Sequence, residues 1–331
     1  MSLFDDNPLK PPDENLHAQL SSGQPQDPSS VEPFVHPLAG DPISYAAGTP
    51  GRSSDLNLPE DLRISWSWVH LLVFVIFVIV SQLAIGALVF GYYSGYRHLP
   101  QARIKQILES DPKLLVGTSI VAFALMILFL YVTLSVLRDT PFWRTLGWKK
   151  LAPDPAAGKG RPWMYFLSGC GLSIFVAVAA SRVKDSDHAP IQEFLKSRTG
   201  AMLLLAMAVL VAPLVEETIF RGYLYPVLVR IISAIAQFFG MEFSSATRTG
   251  VVASILTTGL LFGLMHAPQL GRNWPLVGLL ILVGVIFTFA RAWTGTVVAS
   301  FFLHLGYNSM IALASIIATK GFTHMPPASW M

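Results

Sequence analysis

The chain has 331 residues, 53% of them hydrophobic and only 13% charged, with a mean hydropathy of +0.53. Soluble domains carry about 25% charged residues, so this composition excludes an ordinary soluble globule and predicts an integral, multi-pass membrane protein. The net charge of +3 hides an asymmetry, because residues 1–63 hold ten acids and three bases; no basic cluster with interleaved aromatics points to nucleic acid, and the basic remainder suits loops beside anionic lipid headgroups.

Residues 1–62 are rich in Pro, Ser, Gly and Asp, show neither helical nor alternating periodicity, and lack the basic and apolar regions of a signal peptide. Such a segment buries too little apolar surface to offset its conformational entropy, which predicts a disordered tail. Apolar spans follow at 66–92, 114–137, 163–181, 201–222, 251–267, 275–291 and 296–318, most of them near the ~20 residues that cross a hydrocarbon core. Residues 223–239 form a further apolar helix that either crosses or lies at the interface after Pro226. The expected fold is therefore all-α, a polytopic membrane bundle of seven to eight transmembrane helices. Its divisions are the tail (1–62), amino-terminal helices with basic loops (63–199), a polar-bearing bundle (200–318) and a short tail (319–331).

All eight tryptophans (Trp66, Trp68, Trp143, Trp148, Trp163, Trp274, Trp293, Trp330) fall at span ends or outside spans, where an interfacial aromatic belt belongs. Loop bases number eleven on the side of the amino terminus and ten on the other, and loop 138–162 alone carries six. That loop places itself and the amino terminus in the cytoplasm, with the protein in the cell membrane. Cys170 is the single cysteine, which excludes an intramolecular disulfide and a multi-cysteine metal site. No internal repeat and no pair of interrupted helices marks an inverted-repeat transporter.

Glu216 and Glu217 are the only acids in the predicted spans, and Arg221 follows them. Charges in hydrocarbon are costly and mark a pathway or a reaction centre. Neighbouring helical residues point about 100° apart, so the two carboxylates have different jobs. Glu217 and Arg221 stand at i and i+4 and are spaced to pair, which leaves Glu216 free. Three more polar residues sit in apolar spans: His266, four residues after Phe262, and His304 with Asn308, again at i and i+4 and able to face one cavity. A lone membrane histidine is more often a hydrogen-bond partner between helices than a catalyst. A free carboxylate, two histidines and an amide on three helices form an inward-facing set of the kind from which bundle sites are built.

With a rise of 1.5 Å per residue, Glu216 and His304 can meet from helices entering on opposite sides. His266 falls at the far end of a helix that begins at residue 251, so that helix begins later, is offset, or breaks near Gly259 and Gly263. The zinc-protease pattern His-Glu-x-x-His, the Gly-x-Ser-x-Gly nucleophile turn and phosphate-binding Gly-rich loops are absent. His17, His36, His70, His98, His188 and His324 lie in the tail, loops or span ends and receive no role.

Glu216-Glu217-x-x-x-Arg221, Phe262-x-x-x-His266 and His304-x-x-x-Asn308, in this order within membrane spans, resemble the three motifs of the CPBP family. These are the CAAX-prenyl endopeptidases and bacteriocin-processing or self-immunity proteins, also called ABI, and the likeness covers roughly residues 200–313. It implies an intramembrane endopeptidase in which Glu216 and His266 activate water, His304 and Asn308 form an oxyanion hole, and Glu217 with Arg221 supports the site. Such chemistry suits the residue types, since a carboxylate among apolar groups is a stronger base and neutral donors stabilise a tetrahedral oxyanion. Phe220 and Phe262 are expected to pack around it.

No cofactor is expected: one carboxylate and two histidines can hold zinc, but zinc would consume the base and the oxyanion donor. Expected partners are the lipid bilayer and a membrane-associated peptide or protein substrate, prenylated or not. Two other readings stay open, a non-catalytic immunity or scaffold protein and a proton-coupled transporter titrating at Glu216.

Overall fold

A computed structural model describes residues 58–151, 160–184 and 197–324. The expected tail up to residue 57, together with His17, His36, His188 and Trp330, lies outside the described residues. Within them, seven helices are long and apolar enough to cross a membrane, and no strand occurs. In chain order the helices are α1 (Trp68–Gly91, continued by a π turn Tyr92–Tyr96), α2 (Gln101–Ser110), α3 (Pro112–Leu134), α4 (Phe142–Thr145), α5 (Pro162–Ala180), α6 (Arg198–Phe238), α7 (Phe243–Met265), α8 (Trp274–Thr294) and α9 (Val297–Ala318). The all-α polytopic bundle read from composition is the fold.

Helix starts follow local chemistry. Asp111 caps α3 by accepting from the amides of Lys113 and Leu114, and Pro112 occupies a first-turn position where no N–H is needed. Ser197 caps α6, Asn273 caps α8 and Thr296 caps α9 in the same manner. Between α8 and α9 the chain turns through Gly295 at φ +72°, the left-handed conformation that glycine adopts without steric cost.

The expected spans 201–222 and 223–239 are one helix, so the candidate crossings among the described residues number seven and the segment after Pro226 is neither a separate span nor detached. Its two prolines explain the continuity. Met207–Val211 just ahead of Pro213, and Thr218–Leu224 just ahead of Pro226, are π-helical. A wider turn takes up the missing donor and the ring that would otherwise break the helix. Likewise α7 begins earlier than expected, at Phe243, and runs unbroken to Met265. Gly259 and Gly263 are contact points, not breaks: a Cβ would stand 2.6 Å from the Val285 amide at the first and 2.7 Å from the Ile281 amide at the second. They let α8 lie directly on α7.

The chain preceding α1 is also ordered. Leu58 and Leu62 are buried against Tyr225 and Val229 of α6, and Asp61 pairs with Arg291 of α8 at 3.0 Å. The folded region thus starts before residue 62, because an acid in this segment neutralises an arginine that is 1% exposed. Two expectations change with it. Arg291 is not a loop base, which removes the one-base excess on the side of the amino terminus and leaves the orientation resting on loop 138–162. Trp66 is 1% exposed and stacks on Tyr223, so it belongs to the core and not to the interfacial belt, unlike Trp68, Trp143, Trp163, Trp274 and Trp293, which are exposed.

The closest helix contact joins α5 and α9. A Cβ on Gly306 would stand 2.0 Å from the Phe166 carbonyl oxygen, and one on Gly169 would stand 2.0 Å from that of Leu303. Backbone cannot give way as a side-chain end can. Gly306→Ala should lower stability by about 1–3 kcal/mol as an overpacking change, read by thermal unfolding in detergent, whereas Gly171→Ala, with nothing within 4 Å, should not.

Candidate functional site

The site is built around Glu217, which is fully buried on α6. Its Oε1 accepts from Arg221 Nη1 at 2.9 Å and from His304 Nδ1, also at 2.9 Å. The pairing of Glu217 with Arg221, read from their spacing, is present. The contact with His304 is the one that joins α6 to α9. Oε2 has no donor among the described residues. Ser300 lies beside the carboxylate, one turn before His304, with its hydroxyl turned to the Val297 carbonyl at 3.1 Å.

Arg221 is enclosed on all sides. Nε donates to Thr288 Oγ1 at 3.2 Å and Nη2 to the Gly284 carbonyl at 2.9 Å, both on α8. The guanidinium lies 4.6 Å from the Phe262 ring centroid and 5.3 Å from that of Phe287. A planar cation among aromatic faces with its nitrogens bonded is a low-cost way to bury a charge. Phe220 and Phe262 meet edge to face at 5.4 Å and wall the site as expected. Thr288, Gly284 and Phe287 were not singled out by the sequence, although a threonine one turn after a glycine in an otherwise apolar span was a readable signal.

Glu216, next to this hub, is half-buried and makes no hydrogen bond or ion pair among the described residues. His266 is the C-cap of α7, where its Nδ1 meets the Phe262 carbonyl at 2.7 Å. A carbonyl only accepts, so Nδ1 carries the proton and Nε2 presents a lone pair. The imidazole packs at 4.7 Å on Phe262, which in turn lies 5.9 Å from the His304 ring. Phe262 is therefore the spacer between the two histidines, and His266 reaches this level because α7 starts early and ends there.

His304 and Asn308 share a face of α9, but they face α6 and not an open cavity. Asn308 Nδ2 donates to the Ala208 carbonyl at 2.8 Å. In the π register set by Ala212 N–H bonding to Met207 O, the next carbonyl, Ala208, would meet Pro213, which has no N–H. Asn308 supplies the missing donor and keeps one amide N–H for other use.

Among the described residues, no three of His, Cys, Asp or Glu come together to hold a metal ion. His70, given no role above, is bonded on both ring nitrogens, to Tyr223 and Thr133.

Residues 198–310 match the family described as Type II CAAX prenyl endopeptidase Rce1-like. This part of the chain is similar to that family, the CPBP or ABI family, and contains all six residues of the polar set. No curated protein and no solved structure matches the chain.

Removing one member of the Glu217–Arg221 pair leaves the other buried and uncompensated. Glu217→Ala and Arg221→Ala should each cost about 3–5 kcal/mol, and a double-mutant cycle read by unfolding in detergent should show the pair losing far less than the sum of the two. Additive losses would mean that the two side chains do not act on one another.

Proposed function

We propose that the chain is an intramembrane endopeptidase that hydrolyses a peptide bond of a membrane-associated substrate, without a metal cofactor. The observation that carries this reading is the division of labour inside the family-matched region. Glu217, Arg221 and His304 bond to one another, while Glu216 and the Nε2 of His266 make no hydrogen bond among the described residues.

In the proposed reaction, water attacks the scissile carbonyl carbon and gives its proton to Glu216, with His266 Nε2 holding the water in line. The carbonyl oxygen becomes an oxyanion that accepts from the free N–H of Asn308 and from His304. Because His304 already donates Nδ1–H to Glu217, its contribution to the oxyanion requires a proton on Nε2 as well. Collapse of the tetrahedral intermediate breaks the C–N bond, and the proton held by Glu216 passes to the leaving amine. Arg221 holds Glu217 in place through its hydrogen bond to Oε1. The substrate class named by the matched family is a prenylated carboxy-terminal peptide, and a farnesylated peptide is accordingly the probe of choice. The proposed setting is the cell membrane, with the amino terminus cytoplasmic.

A non-catalytic scaffold is the second reading, favoured by one fact: His304 and Asn308 both bond within the protein, as a structural polar core would. Glu216→Gln separates the two. Loss of a general base typically costs about 10²–10⁴ in rate, so this variant should be folded and essentially inactive on a quenched-fluorescent farnesylated CAAX peptide in nanodiscs. Full activity or full biological function in Glu216→Gln sinks the peptidase reading. Wild-type activity should survive a strong chelator; loss that zinc restores would overturn the metal-free mechanism.

A further inference from the structure

Tyr223 lies in the π turn Thr218–Leu224, two residues after Arg221, and is 0% exposed. Its ring stacks on Trp66 at 5.5 Å and takes the edge of Phe74 at 5.1 Å, while its carbonyl accepts from Trp66 Nε1 at 3.3 Å. The hydroxyl stands 2.6 Å from His70 Nδ1. On the other side of that imidazole, Nε2 is 3.0 Å from Thr133 Oγ1, whose own proton goes to the Phe129 carbonyl at 2.7 Å. With the threonine proton committed, Nε2 must be the donor. The neutral ring then offers Nδ1 as acceptor to the Tyr223 hydroxyl, and every group in the chain is satisfied.

We propose that His70 is a positioning residue of the active site: with Thr133 behind it, it holds Tyr223 and thereby keeps the π turn in the register that aims Glu217 and Arg221. This rests on the endopeptidase reading. A π turn is less favourable than α-helix and persists where surroundings hold it. Tightening it to α geometry would rotate one side of α6 against the other by about one residue, or about 100°. Glu217 is fixed to α9 on one side of the turn and Tyr223 to α1 within it, so the two anchors together admit only the wide turn. The clamp is supplied by α1 and α3, outside the family-matched region.

The clamp depends on a neutral His70. A proton on Nδ1 converts the acceptor into a donor, and the Tyr223 O–H, closed off from water, loses its partner. Facing the ring are Thr133 and Phe129 from α3 and Tyr223 from α6, and the charge whose field reaches both His70 and Tyr223 is Arg138 at the end of α3. The clamp is therefore engaged at higher pH and released as pH falls.

The test uses the full chain in nanodiscs, the farnesylated CAAX peptide, and hydrogen exchange of the 216–226 backbone. His70→Ala and Tyr223→Phe should each lower kcat about tenfold, as small misplacements of reacting groups do, with KM changed less than about twofold. The double variant should be no slower than the slower single. His70→Asn, whose amide oxygen replaces Nδ1 as acceptor, should restore kcat. Protection over 216–226, taken as exchange relative to each amide's intrinsic rate at the same pH, should fall in His70→Ala, in Tyr223→Phe and in the wild type at the lower pH, but not in His70→Asn. If the wild type fails to cleave the peptide, the endopeptidase reading falls, and exchange alone decides the clamp. Unchanged exchange in His70→Ala and Tyr223→Phe, a double loss equal to the product of the singles, or an acid-induced loss of protection that persists in His70→Asn would overturn the proposal. Should His70→Ala not fold, His70→Asn and the wild-type exchange at two pH values still give the answer.

Discussion

One carboxylate oxygen, Oε1 of Glu217, accepts from both Arg221 and His304 at 2.9 Å in a region with no exposure. A bare carboxylate or guanidinium at such depth would be far too costly. Here each compensates the other, and the remaining guanidinium donors are taken up by Thr288 and the Gly284 carbonyl. Satisfying that one group therefore fixes α6, α8 and α9 relative to one another. Phe262 of α7 stacks on the same guanidinium, so the fourth helix joins through an aromatic face.

The helix that bears the carboxylates carries two prolines, and both are handled by widening the turn ahead of them. Each widened turn is then held from elsewhere in the chain. Asn308 of α9 fills the carbonyl that Pro213 leaves without a donor. Trp66 and His70, before and within α1, hold Tyr223 in the second. Nearby, the segment before α1 is tied to several elements at once: Asp61 to Arg291 of α8, Glu60 to Lys149, and the Ile64 carbonyl to Arg230 of α6. A short polar strap thus braces the end of the bundle nearest the site's second π turn.

Gaps in sequence reading fall where sequence distance ceases to measure spatial distance. Glu217 and Arg221 are four residues apart on one helix, so their pairing was legible. Glu217 and His304 are separated by 87 positions, and no periodicity fixes the rotation of one helix against another. The same limit explains the misreading of Trp66, since a tryptophan at a span end reads as an interfacial residue until a partner covers it. His70 looked like a span-end residue, and only folding places Tyr223 and Thr133 on its two nitrogens. Pro226 suggested a break because the compensating wide turn is stabilised by groups far away in sequence.

Composition and spacing by themselves determined that the chain is a helical membrane bundle, that seven to eight segments are apolar enough to cross, and that its polar set lies in α6, α7 and α9. Hydropathy and helical period are local quantities, and they suffice for these conclusions. Tertiary structure alone decided which carboxylate meets which histidine, that Asn308 completes a proline-broken ladder, and that α1 and α3 grip the second π turn. Those outcomes depend on helix rotation and approach, which are set by close backbone contacts such as Gly259 on Val285 and Gly306 on Phe166.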